Sequence, residues 1–190
     1  MLTKWKDYRY NNLCLFGVIF MFIRLKELAK TTNSVAIDET IDLSDVLKHR
    51  TDLLGFGQVE AHLSARHTGE NAAEVTGSLE IDVEQPCSRC LEPVKQRLDI
   101  PFHETFALAA DESEPEDEDE DIHFVTDEKI ELMPYVIENV LVALPYAPLC
   151  EEECKGLCPV CGSNRNMHEC GCKQDTTDPR LAGLADFFKQ

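Results

Sequence analysis

The chain has 190 residues, 43% of them hydrophobic, and a formal net charge of −18. That is enough apolar material for one ordinary domain with a small appendage, and too much for a chain disordered throughout. So acidic a chain gains nothing from counterion release on a phosphate backbone, which argues against unaided, non-specific nucleic-acid binding.

Residues 13–23 form an apolar run behind Lys4, Lys6 and Arg9, superficially a signal-peptide core. The run is shorter than the roughly 20 residues needed to span a bilayer. Arg24, Lys26 and Glu27 follow at once, with no small-residue cleavage site. The expectation is that Met21 is the true first residue, that residues 1–20 are a start-site extension, and that the protein is cytoplasmic with no membrane association.

From there residues 21–148 read as an antiparallel α+β body. Segments 22–28 and 35–43 are short, apolar and partly alternating, as edge strands are, and Ser44 offers an N-cap for a brief helix over 45–48. Gly55 and Gly57 break the pattern. Strand character then returns over 58–66, 73–83 and 94–108. The turn between the first two holds Gly69 and Asn71, both tolerant of positive φ. In 73–83, Val75, Leu79, Ile81 and Val83 mostly alternate with polar neighbours, so one face is buried and the other wet. A meander of antiparallel strands is the economical solution.

Residues 111–121 carry nine acids and no base, half the net charge of the whole chain. Such a run cannot offset the entropy of ordering and is expected to be a disordered, solvated loop. A strand over 122–125 follows, then a helix over 132–144 with Pro134 in its first turn and Leu132, Val136, Val140, Ala143 and Leu144 as its core-facing stripe. Residues 149–190 form a cysteine-rich tail that closes on an amphipathic helix over 180–188, opened by Asp178-Pro179.

Nine cysteines need a reason, and an odd number with six crowded into 150–172 fits a disulfide scaffold poorly. Cys158-Pro-Val-Cys161-Gly162 is a zinc knuckle: two thiolates three positions apart fit one tetrahedral ion, and Gly162 lets backbone amides approach the sulfurs. A structural zinc takes four ligands. Cys150 and Cys154 can close the site from one side, Cys170 and Cys172 from the other, with His168 a weaker candidate; spacing does not settle the pairing. Metal is what would fold a segment lacking its own hydrophobic core. Reduced thiols without metal, and zinc ejected on oxidation, are the competing readings. A second pair, Cys87-Ser-Arg-Cys90, stands between two predicted strands. Structural turn thiols, half of a second metal site, and a redox pair are its three readings.

No Gly-rich phosphate loop, nucleophile elbow or H-E-x-x-H is present, so the expectation is a non-enzymatic protein. Three pieces in order, Pro86-Cys87-Ser-Arg-Cys90, Ala143-Leu-Pro-Tyr-Ala-Pro148, and the tail from Cys150 through Cys161-Gly162 to Asp178-Pro-Arg-Leu181, resemble the YceD family of large-ribosomal-RNA-subunit accumulation proteins, in its cysteine-rich YlbN-like branch. The opening Met21-Phe-Ile-Arg-Leu25 is also similar to that family's usual start. The resemblance implies a ribosome-biogenesis factor supporting synthesis, processing or stability of large-subunit rRNA, with a basic ribosomal protein or large-subunit precursor particle as partner. A zinc-containing thiol redox sensor or oxidoreductase using Cys87 and Cys90 is the alternative.

Overall fold

The computed structural model describes residues 21–31, 33–69, 71–109 and 122–173. Residues 1–20, the acidic run 111–121 and the expected helix over 180–188 lie outside them. The elements run β1 (Phe22–Arg24), α1 (Leu25–Leu28), β2 (Val35–Ile41), α2 (Ser44–Leu47), β3 (Gly55–Phe56), β4 (Val59–Gly69), β5 (Ala72–Pro86), β6 (Pro93–Leu108), β7 (Ile122–Val125), β8 (Lys129–Glu131) and α3 (Met133–Ala143). The fold is α+β and dominated by its sheets. Among the described residues no helix is long and apolar enough to cross a membrane.

The chain divides into two compact units. Of the described residues, the first holds those within 21–51, 56–83 and 96–144, and the second those within 52–55, 84–95 and 145–173.

The larger unit is built on a six-stranded sheet with strand order β2-β4-β5-β6-β7 and β3 paired to β5. β2 and β4 run antiparallel from Val35↔Ala65 to Ile41↔Val59, and β4 and β5 from Glu60↔Glu80 onward, with a register shift between His67 and Gly69. The period-two alternation of these strands does what it predicts. Val59, Ala61, Leu63 and Ala65 on β4, and Val75, Leu79, Ile81 and Val83 on β5, are buried, while Glu60 and His62 stay exposed. Two glutamates facing each other across strands repel. Arg97 sits between them, its Nη2 2.8 Å from Glu60 and 2.5 Å from Glu80.

Three details depart from the expectation. Residues 25–28 form a helical turn rather than continuing β1, which pairs antiparallel with β8 in a separate two-stranded sheet. Ser44 does not cap α2. Ser44 is the helix's first residue, the N-cap position is Leu43, and the Asp42 carboxylate just before it accepts the Ser44 backbone N–H at 2.8 Å and also its hydroxyl. And β7 joins the sheet parallel to β6, with Thr105↔Ile122 through Leu108↔Val125 in register. A parallel return needs a connection of about a dozen residues or more, and the stretch from Leu108 to Ile122 is long enough to provide it. α3 carries Pro134 in its first turn, with Val136 and Val140 buried, as the stripe predicts.

In β5, Gly77 is fixed by sterics. A Cβ placed on Gly77 would stand 2.0 Å from the His62 carbonyl oxygen and 2.8 Å from Leu63 Cα. Gly77→Ala is therefore expected to lower stability by about 2–3 kcal/mol, whereas Gly69→Ala, with nothing within 4 Å, should stay within about 0.5 kcal/mol. Urea denaturation midpoints of the two variants check this.

Candidate metal centre

The smaller unit gathers its chemistry at two hairpin tips and the loops after them. The tip between β5 and β6 is Cys87-Ser-Arg-Cys90-Leu91. The Leu91 amide donates to the Cys87 carbonyl at 2.9 Å, and the Cys87 amide donates to the Glu92 carbonyl at 2.8 Å. The tip at Cys158-Pro-Val-Cys161-Gly162 repeats this pattern bond for bond. The Gly162 amide donates to Cys158 at 2.8 Å, and the Cys158 amide donates to Ser163 at 2.8 Å. Both turns place the residue after the second cysteine in the left-handed region: Leu91 at φ 64° and Gly162 at φ 73°. In that conformation the backbone curls around the sulfurs, which is what makes a C-x-x-C pair a two-point ligand.

Each tip is completed by a different pair. Cys87, Cys90, Cys150 and Cys154 form one group, and Cys158, Cys161, Cys170 and Cys172 form the other; within each, all four sulfurs lie within 4.8 Å of one another. All eight are free thiols. A single site drawing on the tail alone is therefore not what the chain builds. Cys150 and Cys154 turn away from their near neighbours in sequence and join the Cys87/Cys90 tip, and Cys170 and Cys172 complete the Cys158/Cys161 knuckle. His168 belongs to neither group. Other histidines are taken up by carboxylates: His62 by Asp38 at 2.8 Å, His103 by Glu74 at 3.0 Å and His123 by Glu104 at 2.6 Å. Among the described residues, no other cluster of three or more metal-ligating side chains is present.

The donor set fits a tetrahedral ion. Four sulfurs about 2.3 Å from one centre stand about 3.8 Å apart along each edge. In the first group Cys87 and Cys154 sulfurs are 3.8 Å apart, and those of Cys90 and Cys150 are 3.6 Å apart. With all four thiols in so small a volume, like charges cannot all be carried unaided. Burial favours the protonated thiol at Cys87, yet backbone amides of Cys90, Arg89 and Cys150 together bring it down to about 6. Cys150, hydrogen-bonded to the Cys154 sulfur, is pushed up to about 12. The second group repeats the split. Hydrogen bonds from the Ser163 side chain and amide bring Cys161 down to about 6, and its partner Cys172, hydrogen-bonded to Cys161, is pushed up to about 12. A divalent cation resolves this conflict by replacing the shared protons.

The first group also forms the small unit's core. Cys87, Cys90 and Cys154 are buried and, among the described residues, the partly buried Val94, Leu149 and Leu157 pack against them. Residues the sequence does not flag hold the geometry. Arg89 Nη1 donates to the Cys154 carbonyl at 3.0 Å and the Glu152 carbonyl at 3.2 Å. Gly156, at φ 70°, lets the backbone pass Arg89, whose carbonyl oxygen would lie 2.9 Å from a Cβ there. Asn166 donates its side-chain amide to the Cys154 sulfur at 3.2 Å.

Residues 75–188 match the family described as large ribosomal RNA subunit accumulation protein YceD. The chain belongs to the YceD family. It is similar to the uncharacterized protein YlbN of Bacillus subtilis, 31% identical over 161 residues that cover 83% of this chain and 90% of that one. An uncharacterized protein of Mycobacterium tuberculosis is 35% identical over 114 residues, 60% of this chain and 55% of its own length. The chain thus spans about half the length of the mycobacterial relatives it matches. An Arabidopsis thaliana protein described as large ribosomal RNA subunit accumulation protein YCED homolog 1, chloroplastic, is 27% identical over 108 residues, 52% of this chain and 34% of that one. No solved structure matches. The stretch matched to YceD holds both cysteine groups entire.

The twin turns make a direct test of their shared geometry. An ordinary side chain in the left-handed region costs roughly 1–2 kcal/mol. Gly162→Leu is expected to destabilise the protein by about that much. Leu91→Gly should gain up to about 1 kcal/mol, because Leu91 is largely exposed and little packing is lost. Thermal or urea unfolding of the two variants reads the opposite signs.

Proposed function

We propose that the protein is a non-enzymatic ribosome-biogenesis factor that supports synthesis, processing or stability of large-subunit rRNA in the cytoplasm, its smaller unit held in shape by two structural zinc ions. The observation that carries this reading is the match of residues 75–188 to the YceD family, a stretch that includes all eight cysteines of the two groups. Tetrahedral sulfur sites take zinc or iron. Thiols packed this closely leave no room for a multi-iron cluster, and a closed site with four protein ligands is the structural zinc arrangement.

A net charge of −18 supports contact with a basic ribosomal protein or a large-subunit precursor particle over contact with bare RNA. The competing reading, a thiol oxidoreductase using Cys87 and Cys90, draws on the lowered Cys87 thiol. It is disfavoured by access: Cys87 is 0% exposed and Cys90 4%, and an attacking thiolate must reach its substrate.

Depleting the protein from its native cell is expected to lower large-subunit rRNA relative to small-subunit rRNA, and affinity capture should return large-subunit proteins or precursor particles. An unchanged rRNA ratio in a clean deletion would overturn the reading. The purified protein should be inert in an insulin-reduction assay.

A further inference from the structure

The two cysteine groups are joined by more than the short span from Cys154 to Cys158. We propose that the two metal ions bind cooperatively, and that Asn166 is the positioning residue that couples them. The inference rests on reading both groups as metal sites.

Asn166 lies in the loop between Cys161 and Cys170, so the loop's ends are ligands of the second centre. Its side chain serves the first. The side-chain oxygen accepts the Lys155 amide at 2.7 Å, and the amide nitrogen donates to the Cys154 sulfur at 3.2 Å. The first bond fixes the orientation: an oxygen held by a backbone N–H leaves only the NH2 group to face the sulfur. The loop is tied down around it. The Asn166 amide donates to Asn164 Oδ1 at 3.0 Å, the Arg165 amide donates to the Gly156 carbonyl at 2.9 Å, and Leu157 and Asn164 form an isolated β-bridge. The Leu157 amide in turn donates to the carbonyl of Arg89, inside the first tip, at 2.9 Å.

Coupling follows from chain entropy in both directions. With the second ion bound, the loop from Cys161 to Cys170 is closed and Asn166 is held against Cys154. With the first ion bound, Cys154 is anchored and Cys158 is pinned a few residues away, so less freedom remains to be lost when the second site closes. An N–H donor on a ligand sulfur also disperses the excess negative charge that four thiolates place on a divalent ion. Each ion therefore prepares the other's ligands, and reciprocity makes the effect equal both ways.

The test is native mass spectrometry of the reduced full-length chain at half-saturating zinc, with cobalt titration against a competing chelator. The wild-type chain should show metal-free and two-metal species with little one-metal form. Asn166→Ala keeps all eight thiols and should still reach two metals at saturation. Its one-metal form should build up, its first-site affinity should fall about tenfold to a hundredfold, and the thiolate-to-cobalt charge-transfer band should move to lower energy as the sulfur loses its donor. Removing the second site with Cys170→Ser and Cys172→Ser should weaken the first to a similar degree. Two metals taken up with a statistical share of one-metal species, or a first site indifferent to both changes, would overturn the coupling alone. A wild-type chain that takes up no metal would overturn the metal reading and the coupling with it.

Discussion

The smaller unit depends on four sulfurs from distant points of the sequence meeting in one place. Cys87 and Cys90 arrive at the tip of a hairpin, Cys150 and Cys154 arrive after α3, and the sulfurs stand at tetrahedral-edge spacing, 3.6–3.8 Å where pairs meet. Among the described residues, the aliphatic groups packed against the buried thiols are Val94, Leu149 and Leu157. So small an apolar cluster contributes only a few kcal/mol, at roughly 1.5–3 kcal/mol per fully buried side chain. Ion binding to a structural thiolate site is of order 10 kcal/mol. On the proposed metal reading, an ion bound at these sulfurs would contribute more to the order of the described residues than their apolar contacts do.

The larger unit is held by the opposite means. Its sheet buries an alternating set of aliphatic residues on β4 and β5, has a close strand approach at Gly77, and offsets the facing glutamates with Arg97. β5 and β6 belong to that sheet and also carry the Cys87/Cys90 tip between them. Within the smaller unit, that turn supplies Cys87 and Cys90 to the first group, and Cys150 and Cys154 supply the rest.

Much of this was legible in the residues, and the failures have physical reasons. Alternation in β4 and β5 and the apolar stripe of α3 were readable because burial on one face leaves a periodic trace. The Cys158/Cys161 knuckle was readable because its spacing and glycine are local. The partition of the cysteines was not, because closeness in sequence draws Cys150 and Cys154 toward Cys158 and Cys161. What redirects them is the turn at Gly156 and the Arg89 side chain on the carbonyls of Glu152 and Cys154, contacts with no local signature. One signal did exist: setting aside Cys14, eight cysteines make two complete sets of four, and a C-x-x-C pair without partners is half a site. α1 and the Asp42–Ser44 bond were missed because a four-residue helix carries too little periodicity to separate from a strand, and Asp42 lies two positions before the serine it bonds. The parallel entry of β7 was missed because direction depends on a long connection, not on the strand's own residues.

The chain belongs to the YceD family, and the two cysteine groups give the family match a physical centre. The central claim is tested most directly by metal analysis of freshly purified, reduced protein together with X-ray absorption at the bound metal. The account predicts two zinc ions per chain, each surrounded by four sulfurs. A single zinc ligated by tail cysteines alone, or a metal-free chain in which the Cys87/Cys90 turn and the segment from Cys150 to Cys172 remain ordered, would contradict it.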